Sequence, residues 1–156
     1  MTAFDYDVSI IGAGPSGSVA AAILCQKDYR VCVLERLKFP RFVIGESLLP
    51  QCMAYIEEAG MLEAVLKKGF QRKDGAVFGC RGERASFNFN DKSSAGHNET
   101  FQVIRSEFDK ILIDEAEKQG ADLFYETLVE SGSFIEKGAT LNVIGPKGKR
   151  KIRSKF

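Results

Sequence analysis

The chain has 156 residues, of which 44% are hydrophobic and 28% are charged, and its formal net charge is +1. This length and composition support one globular domain with a hydrophobic core and exclude a disordered or fibrous protein. The near-neutral charge gives no electrostatic reason to expect a nucleic-acid partner. No signal sequence, transmembrane segment or metal-ligand spacing of cysteines is recognisable, so we expect a cytoplasmic protein without a metal site. Its four cysteines are predicted to be reduced and mostly buried.

The first 36 residues predict a βαβ unit. The segment "DYDVSIIGAG" concentrates Val and Ile as a strand buried in a parallel sheet does. The following "PSGSVAAAILCQK" predicts a helix that begins at Pro15, and "RVCVLER" predicts a second buried strand. The pattern therefore indicates an α/β fold with a Rossmann-like parallel sheet.

The turn between the first strand and the helix has the pattern of a dinucleotide-binding site. Gly12, Gly14 and Gly17 have G-x-G-x-x-G spacing. The first permits a tight turn, the second lets backbone approach a pyrophosphate, and the third lets the helix pack closely on the strand. Glu35 lies about 20 residues beyond the turn, where a carboxylate holds a ribose diol. Spacing alone leaves NAD and FAD as alternatives.

The segment "FPRFVIGESLLP", residues 39–50, follows the second strand at the sheet edge where ligands bind in this class of fold. Arg41 keeps its charge and can direct two donors at phosphate or ribityl oxygens. Gly45 leaves room for backbone contact with a flat ring. Ser47 is predicted to N-cap the helix "LLPQCMAYIEEAG". These residues alone fit a cofactor-facing loop and an exposed connector with a solvated arginine equally well.

The middle of the chain changes to a period of two residues. Ala76 and Phe78 are predicted to share one face of a strand, and Phe87 and Phe89 one face of the next. We interpret this phenylalanine pair as core packing rather than as the lining of a substrate cavity. His97, the single histidine, is expected to be a solvated loop residue and not a catalytic base.

The segment "VIRSEFDKILIDEAEKQG" predicts a helix with Ser106 and Asp109 as a capping box and Gly120 after its end. The last 24 residues predict strands joined by a turn at "GPKG". Basic residues near the end of the chain alternate with Ile152 and Ser154, which indicates a solvated strand face rather than a nucleic-acid patch.

Five segments together resemble the N-terminal part of the flavin-dependent halogenase family, within a superfamily that includes aromatic hydroxylases and geranylgeranyl reductases. They are "GAGPSGSVAA", "VCVLER", "FPRFVIGESLLP", "FQRKDGAVF" and "VIRSEFDKIL". The resemblance implies a Rossmann-like FAD-binding fold with a parallel sheet and the start of an antiparallel substrate-side sheet. It also implies a division into a dinucleotide-binding region (1–75), the start of the substrate-side sheet (76–104) and a return to the FAD-binding domain (105–156).

The resemblance further implies which residues bind FAD. They are Gly12, Ala13, Gly14, Pro15, Ser16, Gly17, Glu35, Arg36, Arg41, Gly45, Glu46, Ser47, Arg105 and Val129. For Arg105, a cofactor contact and a surface position remain equal alternatives. The segment "ADLFYETLV" resembles the family's strand whose backbone meets adenine near Val129. Lys73 occupies the position of the family's active-site lysine, which either hydrogen-bonds hypohalous acid or forms a chloramine. The alternative is that Lys73, with Arg72 and Asp74, is only a solvated charged cluster.

The resemblance implies the FAD-binding region of a flavin-dependent oxidoreductase, halogenase-like or monooxygenase-like, that acts on an aromatic or other small organic substrate. NAD(P)H or a separate flavin reductase would be the electron donor. The alternatives are an isoprenoid reductase and a non-catalytic nucleotide-binding module. The family continues with a Gly-Asp motif and a Trp-x-Trp-x-Ile-Pro motif, which are absent from these 156 residues. We therefore expect part of a longer enzyme that is inactive by itself.

Overall fold

The computed structural model describes residues 4–136 and 138–156. Its helices are α1 (Pro15–Cys25), α2 (Pro50–Glu58), α3 (Leu62–Lys68) and α4 (Arg105–Lys118). Its strands are β1 (Val8–Ile11), β2 (Val31–Leu34), β3 (Gln71–Lys73), β4 (Gly75–Cys80), β5 (Glu83–Asn88), β6 (Thr100–Gln102), β7 (Asp122–Phe124), β8 (Leu128–Ile135), β9 (Gly138–Gly145) and β10 (Gly148–Ser154).

A parallel sheet with the order β1-β2-β7 carries the nucleotide-binding elements. β1 pairs with β2 from Val8↔Val31 to Ile11↔Leu34, and α1 connects the two strands. All four residues of β2 are buried because this strand is central and covered on both faces. The predicted βαβ unit and the α/β fold class are therefore confirmed.

Antiparallel pairs make up the other sheets. β8, β9 and β10 form a meander, while β3 pairs with β6 and β4 pairs with β5. The predicted "GPKG" turn is confirmed, since β9 ends at Gly145 and β10 begins at Gly148. The resemblance implies one strand at "ADLFYETLV", whereas the structure divides this segment between β7 and β8. The positive φ of Glu126 (52°) turns the chain between β7 and β8, so these strands join different sheets.

Two hydrophobic clusters hold these layers together. The larger one lies among α1, α2, α4 and the parallel sheet, where Phe108, Leu112 and Ile113 are almost completely buried. The smaller one joins the parallel sheet to the β8–β10 meander and contains Cys32, Leu34, Leu141, Val143 and Ile152. No helix in the described part of the chain is both long enough and apolar enough to cross a membrane.

Both helix-capping predictions are wrong. α2 begins at Pro50 and has Leu49 at its N-cap, so the Ser47 hydroxyl does not cap it. α4 begins at Arg105, one residue before Ser106, with Ile104 at its N-cap and no side-chain cap. Asp109, which was predicted to complete the capping box, therefore lies inside the helix, where it pairs with Arg105.

Two burial predictions also need correction. Phe89 is buried at 6% exposure, but Phe87 is 49% exposed and stacks on Phe78 across the β4–β5 pair. β4 and β5 form a separate two-stranded sheet, which leaves about half of the Phe87 surface exposed. Among the cysteines, Cys32 is buried, whereas Cys80 is exposed at the end of β4.

Candidate functional site

The glycine turn between β1 and α1 has the geometry that its sequence predicts. Gly12 adopts φ 101°, a conformation open mainly to glycine. A Cβ atom at Gly17 would lie 2.0 Å from the Gly12 carbonyl oxygen, so α1 can approach β1 only with glycine there. Gly14 is the N-cap of α1 and supplies no side chain, so the first N–H groups of the helix stay available to an anion.

Glu35 faces this turn from the carboxyl end of β2. Its carboxylate accepts hydrogen bonds from the backbone N–H groups of Ala13 (3.0 Å) and Leu37 (2.9 Å), and the residue is 5% exposed. Two accepted bonds leave part of the carboxylate's acceptor capacity free. The carbonyl of Glu35 also accepts from Thr127 N at 2.9 Å, which brings the start of β8 to the same edge.

The loop of residues 39–50 is predicted by the resemblance to face the flavin, and we call it the flavin-facing loop after that prediction. Backbone hydrogen bonds fix its second half. Val103 N donates to the Glu46 carbonyl at 2.8 Å, and Leu48 N donates to the Phe101 carbonyl at 3.1 Å. These bonds, with a bridge from Ser47 to Gln102, place the loop beside β6. Gly45 adopts φ 104°, where any side chain would be strained.

A cluster of buried charges lies beneath the loop. Asp109 is 0% exposed and accepts two hydrogen bonds from Arg105, Nε to Oδ1 at 2.7 Å and Nη2 to Oδ2 at 3.0 Å. Nη1 of Arg41 lies 3.1 Å from Oδ2 of Asp109, in an ion pair that lacks hydrogen-bond direction. Nε of Arg41 lies 3.9 Å from Oε1 of Glu35. Arg105 is therefore not a solvated surface residue. Its guanidinium group donates to Asp109 of the same helix and to two carbonyl oxygens of the loop.

Lys73 ends β3 and reaches across β6 to the flavin-facing loop. Its Nζ donates to the Ser47 hydroxyl at 2.7 Å and to the Leu48 carbonyl at 2.9 Å. The same ammonium group lies 5.3 Å from the centre of the Phe89 ring. The predicted active-site lysine is therefore attached to the loop. Its neighbour Arg72 points elsewhere and pairs with Glu99.

The remaining predicted residues lie around the same edge. Pro15 and Ser16 open α1, and Arg36 and Glu46 are exposed beside Glu35 and Ser47 respectively. Val129 packs against the smaller hydrophobic cluster and pairs with Val143, immediately before a register irregularity in β8. His97 lies away from this edge and bonds to Glu57 of α2 at 3.0 Å.

Tyr125 packs against the start of the flavin-facing loop. Its ring lies 5.3 Å from that of Phe39, and burial is the main cause that raises the pKa of its hydroxyl to about 12. This group therefore remains a neutral phenol at physiological pH. The described residues contain no group of three or more His, Cys, Asp or Glu side chains that could hold a metal ion.

The structure shows side-chain contacts of three site residues that the sequence motifs did not predict. Asp109 was interpreted as a helix cap, although its i, i+4 spacing from Arg105 is a recognisable ion-pair signal. Ser47 was predicted to cap α2 or to meet the cofactor, and its bond to Lys73 had no sequence signal. Phe89 was expected to be core, and only the fold shows the lysine above its ring.

The residues present fit FAD. The open helix N-terminus offers N–H donors to a diphosphate, and Nη2 of Arg41 would lie 3.7 Å from a Cβ atom at Gly14, so a permanent cation stands beside this cradle. The acidic Glu35 accepts the N–H of Ala13 in this turn, and Arg41 brings the start of the glycine-containing loop beside it. Such an arrangement suits a ligand with a ribose, a diphosphate and a flat ring.

Comparison with known proteins agrees with this geometry. The FAD binding domain family model matches residues 5–156. Tryptophan 2-halogenase from Chondromyces crocatus is 41% identical over 117 residues, which cover 75% of this chain and 22% of that protein.

Two solved structures are similar in fold. A flavoprotein/dehydrogenase from Cytophaga hutchinsonii has 48% identity and a TM-score of 0.90 over 96% of this chain and 38% of that one. The anhydrotetracycline hydroxylase OxyS from Streptomyces rimosus has 25% identity and a TM-score of 0.82 over 97% and 30%. This chain therefore spans well under half of each relative. It belongs to the FAD binding domain family, within the superfamily of flavin-dependent halogenases and aromatic hydroxylases, and its cofactor is FAD.

Proposed function

We propose that the full-length protein is a FAD-dependent halogenase that acts on an aromatic substrate, with Lys73 as a catalytic residue. The observation that carries this proposal is the position of Lys73 Nζ, held by Ser47 and Leu48 on the flavin-facing loop. These two bonds fix the ammonium group at the loop instead of leaving it in solvent. The tryptophan 2-halogenase relative supports the same reaction class.

The ammonium group has one donor to spare. Of its three N–H bonds, two point to Ser47 Oγ and Leu48 O, so the third is free to donate to a small molecule. Donation to the oxygen of hypohalous acid makes the halogen more electrophilic. The aromatic carbon then bonds to the halogen as the O–X bond breaks, and the displaced oxygen leaves as water with the ring proton.

The cofactor-binding roles are part of this proposal. Glu35 holds the adenosine ribose, the glycine turn meets the diphosphate, and the flavin-facing loop lies at the flavin. When bound, FAD supplies the oxidation of halide with oxygen, using electrons from NAD(P)H or from a separate flavin reductase. Arg36 and the backbone of Val129 are proposed to contact the adenosine. We propose a cytoplasmic location, with support from the four free cysteines.

The proposal is tested by Lys73→Met in the full-length enzyme, since methionine has similar length without charge. We expect FAD content and flavin reduction to persist while halogenated product falls by about 100-fold or more, the range for loss of a positioned catalytic group. Lys67→Met, an exposed lysine of α3, is the matched control. Undiminished product from Lys73→Met would show that this lysine is not catalytic.

A second candidate is a flavoenzyme that hydroxylates or dehydrogenates its substrate without halide. The 48% identical flavoprotein/dehydrogenase and the hydroxylase structure favour it. Assays of the wild-type enzyme with chloride, bromide and no halide separate the two, because only a halogenase requires halide for product formation. The isoprenoid-reductase alternative gains no support from these relatives.

A further inference from the structure

Asp109 is an unusual residue to find at 0% exposure in the first half of α4. A buried carboxylate is costly unless charged partners surround it. Here Arg105 supplies two short hydrogen bonds and Arg41 supplies an ion pair at 3.1 Å. Neither carboxylate oxygen is exposed, so Asp109 cannot itself touch a cofactor.

The two arginines lead in different directions from this carboxylate. Nη1 of Arg105 donates to the carbonyl oxygens of Ile44 (3.0 Å) and Gly45 (3.2 Å) in the flavin-facing loop. Arg41 instead extends toward the glycine turn, with Nη2 3.7 Å from where a Cβ atom of Gly14 would lie. A single carboxylate therefore holds the loop at two points, directly at Arg41, which lies beside the glycine turn, and through Arg105 at Ile44 and Gly45.

The charges of the cluster balance. Two carboxylates, those of Glu35 and Asp109, face two guanidinium groups, and the side chains of all four are at most 14% exposed. Removal of the Asp109 charge leaves an excess positive charge that water screens poorly. Both arginines would then lose the partner that orients them.

We propose that Asp109 is a positioning residue for FAD, which fixes the flavin-facing loop beside the glycine turn by holding Arg105 and the loop's own Arg41 on one carboxylate. It acts through these arginines and not by contact with the cofactor. Because FAD spans both the loop and the turn, its binding depends on their spacing. ADP occupies only the adenosine half and depends on it less.

The test uses the full-length enzyme stripped of flavin, with Asp109→Asn as the variant and Asp114→Asn as the control. Asp114 lies on the same helix but pairs with Lys110 at a more exposed position. We expect the dissociation constant for FAD to rise by about 10-fold or more and that for ADP by less than about 3-fold, as for loss of a charged hydrogen-bonding partner. Trypsin should also cut faster after Arg41, since the loop loses its anchor.

Arg105→Lys provides a second variant in case Asp109→Asn folds poorly. Lysine keeps the charge but cannot bond both carboxylate oxygens and the loop carbonyls at once, so the same split between FAD and ADP is expected. If Asp109 only stabilised the fold, the variants would weaken the binding of FAD and of ADP equally. Equal losses for FAD and ADP, or unchanged FAD affinity and unchanged cleavage after Arg41, would overturn the proposal.

Discussion

The carboxylate of Glu35 has two tasks in this structure. It accepts N–H bonds from Ala13 and Leu37, which shape the turn, and its remaining acceptor capacity is proposed to serve the FAD ribose. Replacement of Glu35 by Ala is predicted to weaken FAD by about 1.5–3 kcal/mol, because hydrogen bonds to a charged acceptor are lost. Titration of the apo full-length protein with FAD measures this change.

The turn-shaping task needs its own control at the same residue. Urea unfolding of the apo variant reports whether the loss of the Ala13 and Leu37 bonds has destabilised the fold. Glu58→Ala, which removes an exposed acid at the end of α2, should leave FAD affinity unchanged. An unaltered dissociation constant in Glu35→Ala would rule out the ribose assignment.

Among the elements, β1 depends on one acid at its start. Asp7 binds Lys155 at 2.8 Å and accepts the Arg30 N–H at 2.9 Å, so it links β1, the start of β2 and the segment after β10. The Lys155 bond, followed by the Arg30 N–H, holds the pKa of this carboxyl well below its usual range. The carboxylate therefore stabilises the fold above the ordinary value of 3.8, and this contribution is lost as pH falls through the folded pKa.

Asp7→Asn is predicted to lower the free energy of unfolding at pH 7. The difference from wild type should shrink as pH falls below about 4, since the wild-type carboxylate then progressively loses its advantage. Urea denaturation at pH 7 and at pH 3 measures both values. Asp91→Asn, on an exposed loop, is the control; a difference that stays constant with pH would contradict the role assigned to the Asp7 charge.

At the scale of the whole molecule, the smaller hydrophobic cluster fastens the β8–β10 meander to the parallel sheet. Ile152 is 3% exposed and Cys32 is 0% exposed within it, and burial raises the pKa of the Cys32 thiol to about 11. Ile152→Ala is predicted to cost about 2–5 kcal/mol, because it removes apolar contacts and leaves a cavity.

Thiol labelling reports whether this interface has opened. In wild type, a thiol reagent should modify the exposed Cys80 rapidly and Cys32 slowly; Ile152→Ala should accelerate only the modification of Cys32. Val77→Ala, at a position 57% exposed, is the matched truncation and should change neither rate. Faster Cys32 labelling in both variants would mean that the two sheets are not joined by this cluster.

The sequence by itself determined the βαβ unit, the glycine turn and the position of Glu35. These features depend on local backbone requirements, such as the positive φ of Gly12 and the close approach of the helix at Gly17. Such requirements can be read from the residue type at one position. The assignment of Lys73 as a candidate active-site lysine also came from the sequence, but only through resemblance to a family. Helix starts were less predictable, since the N-cap of α4 is Ile104, two residues before the Ser106 that the capping signal indicated.

Only the tertiary structure decided how the charged and polar side chains are paired. Asp109 meets Arg41 because α4 packs beneath the flavin-facing loop, and Lys73 meets Ser47 because β6 lies between β3 and that loop. The two residues of each pair are far apart in the chain, and the sequence offers many other polar residues as possible partners for each of them. For Asp109, burial selects the partners, since a buried carboxylate needs opposite charges within reach.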